Sequence, residues 1–176
     1  MANLKDSPKF QIHDDYYSPK SAWENISHLI PNDKKIWEAF LLNSHLSKSL
    51  KNLRDLNKNV IGNTEWDFFD KCDELEYDMI VSNPPFDKTI KIPILKKLVE
   101  LDKPFILIMN SMNIYSNYFN EIFKNNRCEL QIIIPKGKIH FEMMKDGKCE
   151  LKKNTSFYCI YVAYKMNIPQ EKLFLD

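Results

Sequence analysis

Tyr77-Asp78-Met79-Ile80-Val81-Ser82-Asn83-Pro84-Pro85-Phe86 is the stretch that organises this chain. Asp78 to Val81 form a compact, partly β-branched apolar run of strand length, which predicts a short buried strand. The strand stops at Asn83, because Pro84 and Pro85 lack the backbone N–H groups that extend a ladder. A stiff loop is therefore delivered to the carboxyl edge of a sheet, where open α/β sheets bind ligands. The loop offers an amide side chain, carbonyls and a flat ring. Asn83 Oδ1 and the Pro84 carbonyl can both accept from an –NH₂ group, and Phe86 can stack on a planar heterocycle. The alternative reading of Asn83 to Phe86 is a Pro-Pro strand terminator followed by a core phenylalanine.

Working outward, the 176 residues suggest one domain, with 1–13 as a polar arm and 14–176 as the folded unit. Hydrophobic residues make up 44%, enough for a core. No apolar run approaches the roughly 20 residues that span a bilayer, so no membrane partner is expected. Met1-Ala2-Asn3-Leu4-Lys5-Asp6 lacks the apolar segment of a signal peptide. The expectation is an intracellular protein, cytoplasmic or nuclear, that is not secreted. Cys72, Cys128, Cys149 and Cys159 include no Cys-x-x-Cys pair, so no metal site is expected. Charge divides unevenly. Residues 1–80 carry 10 Lys+Arg against 14 Asp+Glu, and residues 81–176 carry 15 against 10. A phosphate-facing surface would lie in the second half. Ordinary solvated charge is the alternative.

Asn83-Pro84-Pro85-Phe86 after an apolar strand resembles the catalytic motif of S-adenosylmethionine-dependent amino methyltransferases, especially the DNA adenine-N6 group. Enzymes methylating cytosine N4 or protein glutamine carry close variants. The resemblance runs from about Tyr16 to Tyr164. It implies an α/β, Rossmann-like class I fold, with a mostly parallel sheet of the seven-stranded type and helices on both faces. It implies S-adenosylmethionine as cofactor and DNA as partner, with Asn83, Pro84, Pro85 and Phe86 as the catalytic residues.

The remaining cofactor residues follow from the same resemblance. Tyr16-Tyr17-Ser18-Pro19 looks like the segment that closes over the methionine end of the cofactor, which assigns Tyr17, Ser18 and Pro19. Glu38-Ala39-Phe40 is similar to the family's first strand end, which assigns Glu38 and Phe40. Leu41-Leu42-Asn43-Ser44-His45 departs from the pattern, since a glycine-rich turn belongs there. Asn43 is the substitute best able to adopt left-handed backbone. Asn63 and Glu65, past the second strand, are the candidates for the ribose hydroxyls, and Glu65 can accept two hydrogen bonds. Asp67 and Phe68, in Asp67-Phe68-Phe69, are assigned to the adenine. One of the two phenylalanines should be core, because neighbours on an extended segment face opposite ways.

The other elements are read from pattern. Ser18 is expected to cap a helix that opens on Pro19 and buries Trp23, Ile26 and Ile30. Lys34 to Phe40 is read as the first strand and Asn59 to Gly62 as the second. A helix between them buries Leu46, Leu50 and Leu53. Ile94, Leu95, Leu98 and Leu101 mark another helix. Pro104 to Met109 is a continuous apolar run that fits a central strand buried on both faces. Ser111 to Phe123 reads as one helix and Leu130 to Pro135 as a strand. Lys136 to Lys153 holds six lysines and three acidic residues around an Asp146-Gly147 turn. It reads as a basic hairpin inserted at 136–153, where family members place target recognition. Lys88, Lys136, Lys138, Lys145, Lys148 and Lys152 are the expected nucleic-acid contacts. Thr155 to Tyr164 is read as an edge strand closing the sheet. So small a domain leaves little room for recognition, which points to a homodimer or a second subunit. The competing functions are a catalytically degenerate subunit binding nucleic acid or a partner, and a methyltransferase acting on RNA or protein glutamine.

Overall fold

The computed structural model describes residues 16–41, 47–56, 59–145, 148–151 and 155–176. The strands are β1 (Ile36–Trp37), β2 (Val60–Ile61), β3 (Met79–Ser82), β4 (Phe105–Asn110), β5 (Leu130–Ile133), β6 (Glu142–Lys145), β7 (Lys148–Leu151) and β8 (Cys159–Tyr164). The helices are α1 (Lys20–Glu24), α2 (Ser47–Arg54), α3 (Phe68–Lys71), α4 (Lys88–Leu101) and α5 (Asn117–Phe123). Six strands form one sheet in the order β2-β1-β3-β4-β8-β5, and β6 pairs with β7 as a separate hairpin. The four strands from β2 to β4 run parallel. β8 is antiparallel to both of its neighbours. This is an α/β, Rossmann-like doubly wound sheet, with six described strands. The order reverses between β1 and β3, so the crevice at their carboxyl ends is the topological switch point.

Side-chain period two explains why these runs are apolar throughout. Met79, Val81, Ile106, Ile108, Tyr161 and Ala163 enter one core cluster with Trp23, Ile26, Leu50 and Leu53. Ile80, Phe105, Leu107, Met109, Ile160, Val162 and Tyr164 enter the other with Phe68, Ile94, Leu95, Leu98, Phe119 and Phe123. Thus α1 and α2 cover one face, and α3, α4 and α5 cover the other. The Tyr161 hydroxyl donates to the Ala22 carbonyl at 2.6 Å and pins α1 to the sheet.

Several expectations need correction. The first strand is shorter than Lys34 to Phe40, because the chain leaves the ladder after Glu38 and the Phe40 N–H turns to the Ser82 hydroxyl. Pro19, not Ser18, occupies the N-cap of α1, and no side chain caps that helix. Ser111 to Phe123 is two elements, a 3-10 turn at Ser111–Tyr115 and then α5. Between them Ser116 is extended, and its side chain caps α5 by accepting from the Phe119 N–H. β8 lies inside the sheet rather than at its edge. It pairs with β4 on one side and β5 on the other, so its backbone is paired along both edges, and all six of its residues are buried. The 1–13 arm, Leu46 and the Asp146-Gly147 turn lie outside the described residues. Among those described, no helix is long and apolar enough to cross a membrane.

The glycine missing after β1 has a counterpart on the neighbouring strand. A Cβ built on Gly62 would lie 2.9 Å from Leu41 Cδ1, 3.0 Å from the Glu38 carbonyl oxygen and 3.0 Å from Leu50 Cδ1. Gly62 therefore lets the end of β1 close onto β2 and α2. Leu41 and Leu50 can shift as flexible side-chain ends, but the Glu38 carbonyl is backbone and gives less readily. Gly62→Ala should destabilise the fold by about 1–3 kcal/mol through overpacking, read as a lower urea midpoint at unchanged slope. An unchanged midpoint would show that the contact is slack.

Candidate functional site

The carboxyl ends of β1 and β3 meet through one hydroxyl. Ser82 Oγ donates to Glu38 Oε1 at 2.6 Å and accepts from the Phe40 N–H at 3.2 Å. β1 thus ends on an acidic side chain and an exiting loop, both tied to the residue that precedes Asn83. Pro84 and Pro85 are buried, while Asn83 and Phe86 are half-buried. The loop ends at Asp87, whose carboxylate caps α4 by accepting from the Thr89 N–H at 2.7 Å.

Burial and missing partners mark this corner. Glu38 is 2% exposed. Among the described residues, four buried side-chain polar atoms lack any partner: Ser18 Oγ, Trp23 Nε1, Glu38 Oε2 and Asn83 Oδ1. A buried polar atom without a hydrogen bond costs about 1–3 kcal/mol, so such atoms are rare and call for explanation. Here two of the four are acceptors on adjoining strand ends at the switch point. Burial pushes the Glu38 carboxyl up to about 7, against the smaller downward pull of the Ser82 hydroxyl. A cation beside Oε2 would reverse that shift, and an –NH donor would satisfy Asn83 Oδ1.

A second anchor holds the loop from beyond. Lys91 is 2% exposed, and its ammonium donates to the Phe86 carbonyl at 2.9 Å and to Asn113 Oδ1 at 3.3 Å. The Tyr118 hydroxyl shares the same Asn113 oxygen. Lys91 stands on the face of α4 that carries Ile94, Leu95 and Leu98, where a lysine is out of place unless it has work there. The Phe86 ring joins a four-ring cluster. Its centroid lies 5.8 Å from Tyr16, 6.0 Å from Phe141 and 5.3 Å from Phe157. The chain at Tyr17 is itself fixed to the hairpin. Its N–H donates to the Glu142 carbonyl at 2.8 Å, and Glu142 N–H returns to the Tyr17 carbonyl at 3.0 Å. Glu142 also pairs with Lys48 of α2.

Of the residues expected to bind cofactor, Glu38 and Phe40 come together with Asn83 through Ser82. Tyr17, Ser18 and Pro19 are buried in one extended segment. The Ser18 carbonyl accepts from Asn52 Nδ2 at 3.4 Å, while its hydroxyl is the unpartnered atom. Asp67 caps α3 by accepting from the Phe69 N–H at 2.9 Å. Phe68 is the buried member of its pair, stacked 5.7 Å from Trp37 and tilted 5.1 Å from Phe40. Glu65 is exposed in a turn closed by its own N–H onto Asn63. Lys88, Lys136 and Lys138 occupy the same half of the chain, the first two exposed. Asn43 and Lys152 lie outside the described residues, as do the side chains of Lys145 and Lys148. Among the described residues, no group of His, Cys, Asp and Glu could hold a metal ion. Ser82 and Lys91 escaped the sequence reading. Their signals were a hydroxyl ending an apolar strand and a lysine inside an apolar helical stripe.

The raised Glu38 carboxyl makes stability depend on pH in a stated direction. A folded value above the unfolded one stabilises the protein fully below about pH 4.5, and that term is lost as pH rises through about 7. The full loss is about 3 kcal/mol. Glu38→Gln should flatten the decline, so its urea midpoints should differ less between about pH 5 and about pH 8 than those of the wild type. Parallel declines in the two proteins would assign the pH dependence elsewhere.

Comparison with known proteins adds fold-level likeness. No family model matches the chain, and no curated protein matches its sequence. Its structure is similar to the human methyltransferase 10 domain-containing protein, at 12% identity and TM-score 0.42, over 88% of this chain and 71% of that one. It is similar to an S-adenosylmethionine-dependent O-methyltransferase from Thermotoga maritima, at 9% identity and TM-score 0.41, over 89% and 68%. It is also similar to a TehB-like S-adenosylmethionine-dependent methyltransferase from Corynebacterium glutamicum, at 12% identity and TM-score 0.38, over 84% and 86%. The site described above stands on its own geometry.

Proposed function

We propose that the chain is a methyltransferase that uses S-adenosylmethionine to methylate an exocyclic amine, the N6 of adenine in DNA. The observation that carries this reading is the pair of buried, unpartnered acceptors, Glu38 Oε2 and Asn83 Oδ1, at the β1–β3 switch point. Their chemistry fits the two ligands required. A carboxylate suits a cationic donor, and an amide oxygen suits an –NH₂ acceptor. Tyr17, Ser18, Pro19, Glu38 and Phe40 would hold the donor's amino-acid end, and Glu65 and Asp67 its nucleoside. Bound there, S-adenosylmethionine supplies a methyl group activated by its sulfonium charge.

The protein's own part is positioning and charge matching. An exocyclic amine is a weak nucleophile because its lone pair is delocalised into the ring. Asn83 Oδ1 and the Pro84 carbonyl would accept its two N–H bonds, favour sp³ character and aim the lone pair at the methyl. No strong base is needed, since the proton leaves after the nitrogen has gained its substituent. Holding both partners in a dry corner accounts for most of the acceleration. A base stacked in a duplex reaches this corner only when flipped out, with Phe86 replacing part of the lost stacking. The Lys91 grip on the Phe86 carbonyl would keep that ring in register.

Incubation with labelled cofactor and mixed-sequence DNA, followed by nucleoside analysis, should place the label on N6-methyladenine. Asn83→Ala and Phe86→Ala should each lower the rate roughly 100-fold or more, with circular dichroism unchanged. Retained activity in either folded variant would remove the proposed chemistry. Label in RNA or in protein glutamine would assign the acceptor to the alternative classes, and no label anywhere would favour a degenerate subunit.

A further inference from the structure

Five large apolar or aromatic side chains are exposed among the described residues: Met112 at 68%, Tyr115 at 74%, Ile134, Tyr158 at 64% and Phe174. Single exposed hydrophobic residues need no explanation. Ile134 and Phe174 belong to one short bridge far along the chain from the Asn83 loop. The other three stand on two segments bonded to each other and to that loop. The Ser111 N–H donates to the Tyr158 carbonyl at 2.9 Å, which joins the 3-10 turn carrying Met112 and Tyr115 to the strand entry carrying Tyr158. The turn is tied to Phe86 through Asn113 and Lys91. The strand entry is tied to it through Phe157, whose ring lies 5.3 Å from that of Phe86. Phe157 faces the corner and its neighbour Tyr158 faces solvent, as alternation along an extended segment requires.

A positive charge lies beside the Tyr158 ring. Lys138 Nζ lies 4.8 Å from the Tyr158 ring centroid and donates to the Thr155 carbonyl. Lys88 and Lys136 are exposed. Two exposed tyrosines, one of them under a lysine, on the more basic half of the chain fit a polyanion whose bases offer free faces. In a duplex those faces are already stacked on one another, whereas in a single strand each can lie on an aromatic ring.

We propose that Tyr115 and Tyr158, with Met112, form a stacking platform for the bases flanking the target, and that the chain takes a single-stranded polynucleotide. The platform narrows the acceptor class proposed above and rests on that reading only for its placement beside Asn83. Tyr115 and Tyr158 support the strand on either side of a base entering the corner. Lys138 holds the Tyr158 ring by cation–π contact and adds to the attraction for phosphate. Because unpaired bases need no extrusion from a helix, a small domain can engage such a strand without a separate recognition module.

Fluorescence anisotropy with labelled mixed-sequence oligonucleotides tests this. The full chain should bind single-stranded DNA or RNA at least about tenfold more tightly than the matching duplex. Tyr115→Ala and Tyr158→Ala should each weaken single-strand binding by roughly 5- to 100-fold, as expected for one lost base stack. Tyr158→Phe should bind like the wild type, since the ring and not the hydroxyl is required. Cofactor affinity, measured separately by calorimetry, should stay the same in all variants. Equal binding of wild type and both alanine variants would overturn the platform, as would duplex preference or binding to no oligonucleotide. Loss of the platform with cofactor binding intact would leave the methyl-donor reading standing. Tyrosine-dependent strand binding without cofactor binding would do the reverse.

Discussion

One hydroxyl holds the functional end of this sheet together. Ser82 closes β3, donates to a buried carboxyl at the end of β1 and accepts the N–H that would otherwise have continued β1 as a strand. β1 can therefore stop early and turn outward, and Asn83 emerges beside Glu38. A serine is small enough to sit inside the sheet and has one donor and two acceptor sites to spend. Its position explains why the two strand ends are in register despite the absence of glycine from the turn after β1. Gly62, just past β2, leaves the space into which Leu41 and Leu50 pack.

The consequence is an arrangement that is polar, dry and incompletely satisfied. A carboxyl with one free oxygen and an amide with a free carbonyl are poor for stability and good for holding a ligand. The proteins that keep such groups bring the missing partners from outside. Around them the structure is over-determined. Two prolines stiffen the loop, Asp87 caps the helix that follows, and Lys91 grips the loop from α4. The segment at Tyr16 and Tyr17 is fastened to Phe86 by ring contacts and to the hairpin by paired backbone bonds. The unpartnered atoms are thus held in place rather than free to seek alternatives.

Much of this was legible in the sequence. The run Met79 to Val81, stopped by Pro84 and Pro85, gave the strand and its loop. The unbroken apolar stretch at Phe105 to Met109 gave a strand buried on both faces. Trp23, Ile26 and Ile30 are buried as their spacing suggested, but the helix ends at Glu24, and Ile26 and Ile30 flank a 3-10 turn at Ser27–Leu29 instead of continuing it. Two of the misreadings come from long-range pairing that overrode local pattern, and one from a local cap. Ser18 looks like a cap, but the pairing of Tyr17 with Glu142 holds the segment extended and turns the hydroxyl inward. Ser111 to Phe123 looks like one helix, but Ser116 breaks it by capping its second half. Cys159 to Tyr164 looks like a closing strand, yet its partners on both sides come from distant parts of the chain. Ser82 and Lys91 could not be assigned from spacing, because each acts on a residue that only the fold brings near.

The central claim is that Glu38 and Asn83 together hold a cationic methyl donor next to an amine. Calorimetric titration of S-adenosylmethionine and of neutral S-adenosylhomocysteine, at pH values on either side of the raised Glu38 carboxyl, tests it most directly. One site should take both ligands, and because each carries the α-ammonium that Glu38 would meet, both affinities should rise as Glu38 ionises in the wild type and stay level in Glu38→Gln. Absence of binding by the folded protein, or the same pH dependence in Glu38→Gln, would contradict it.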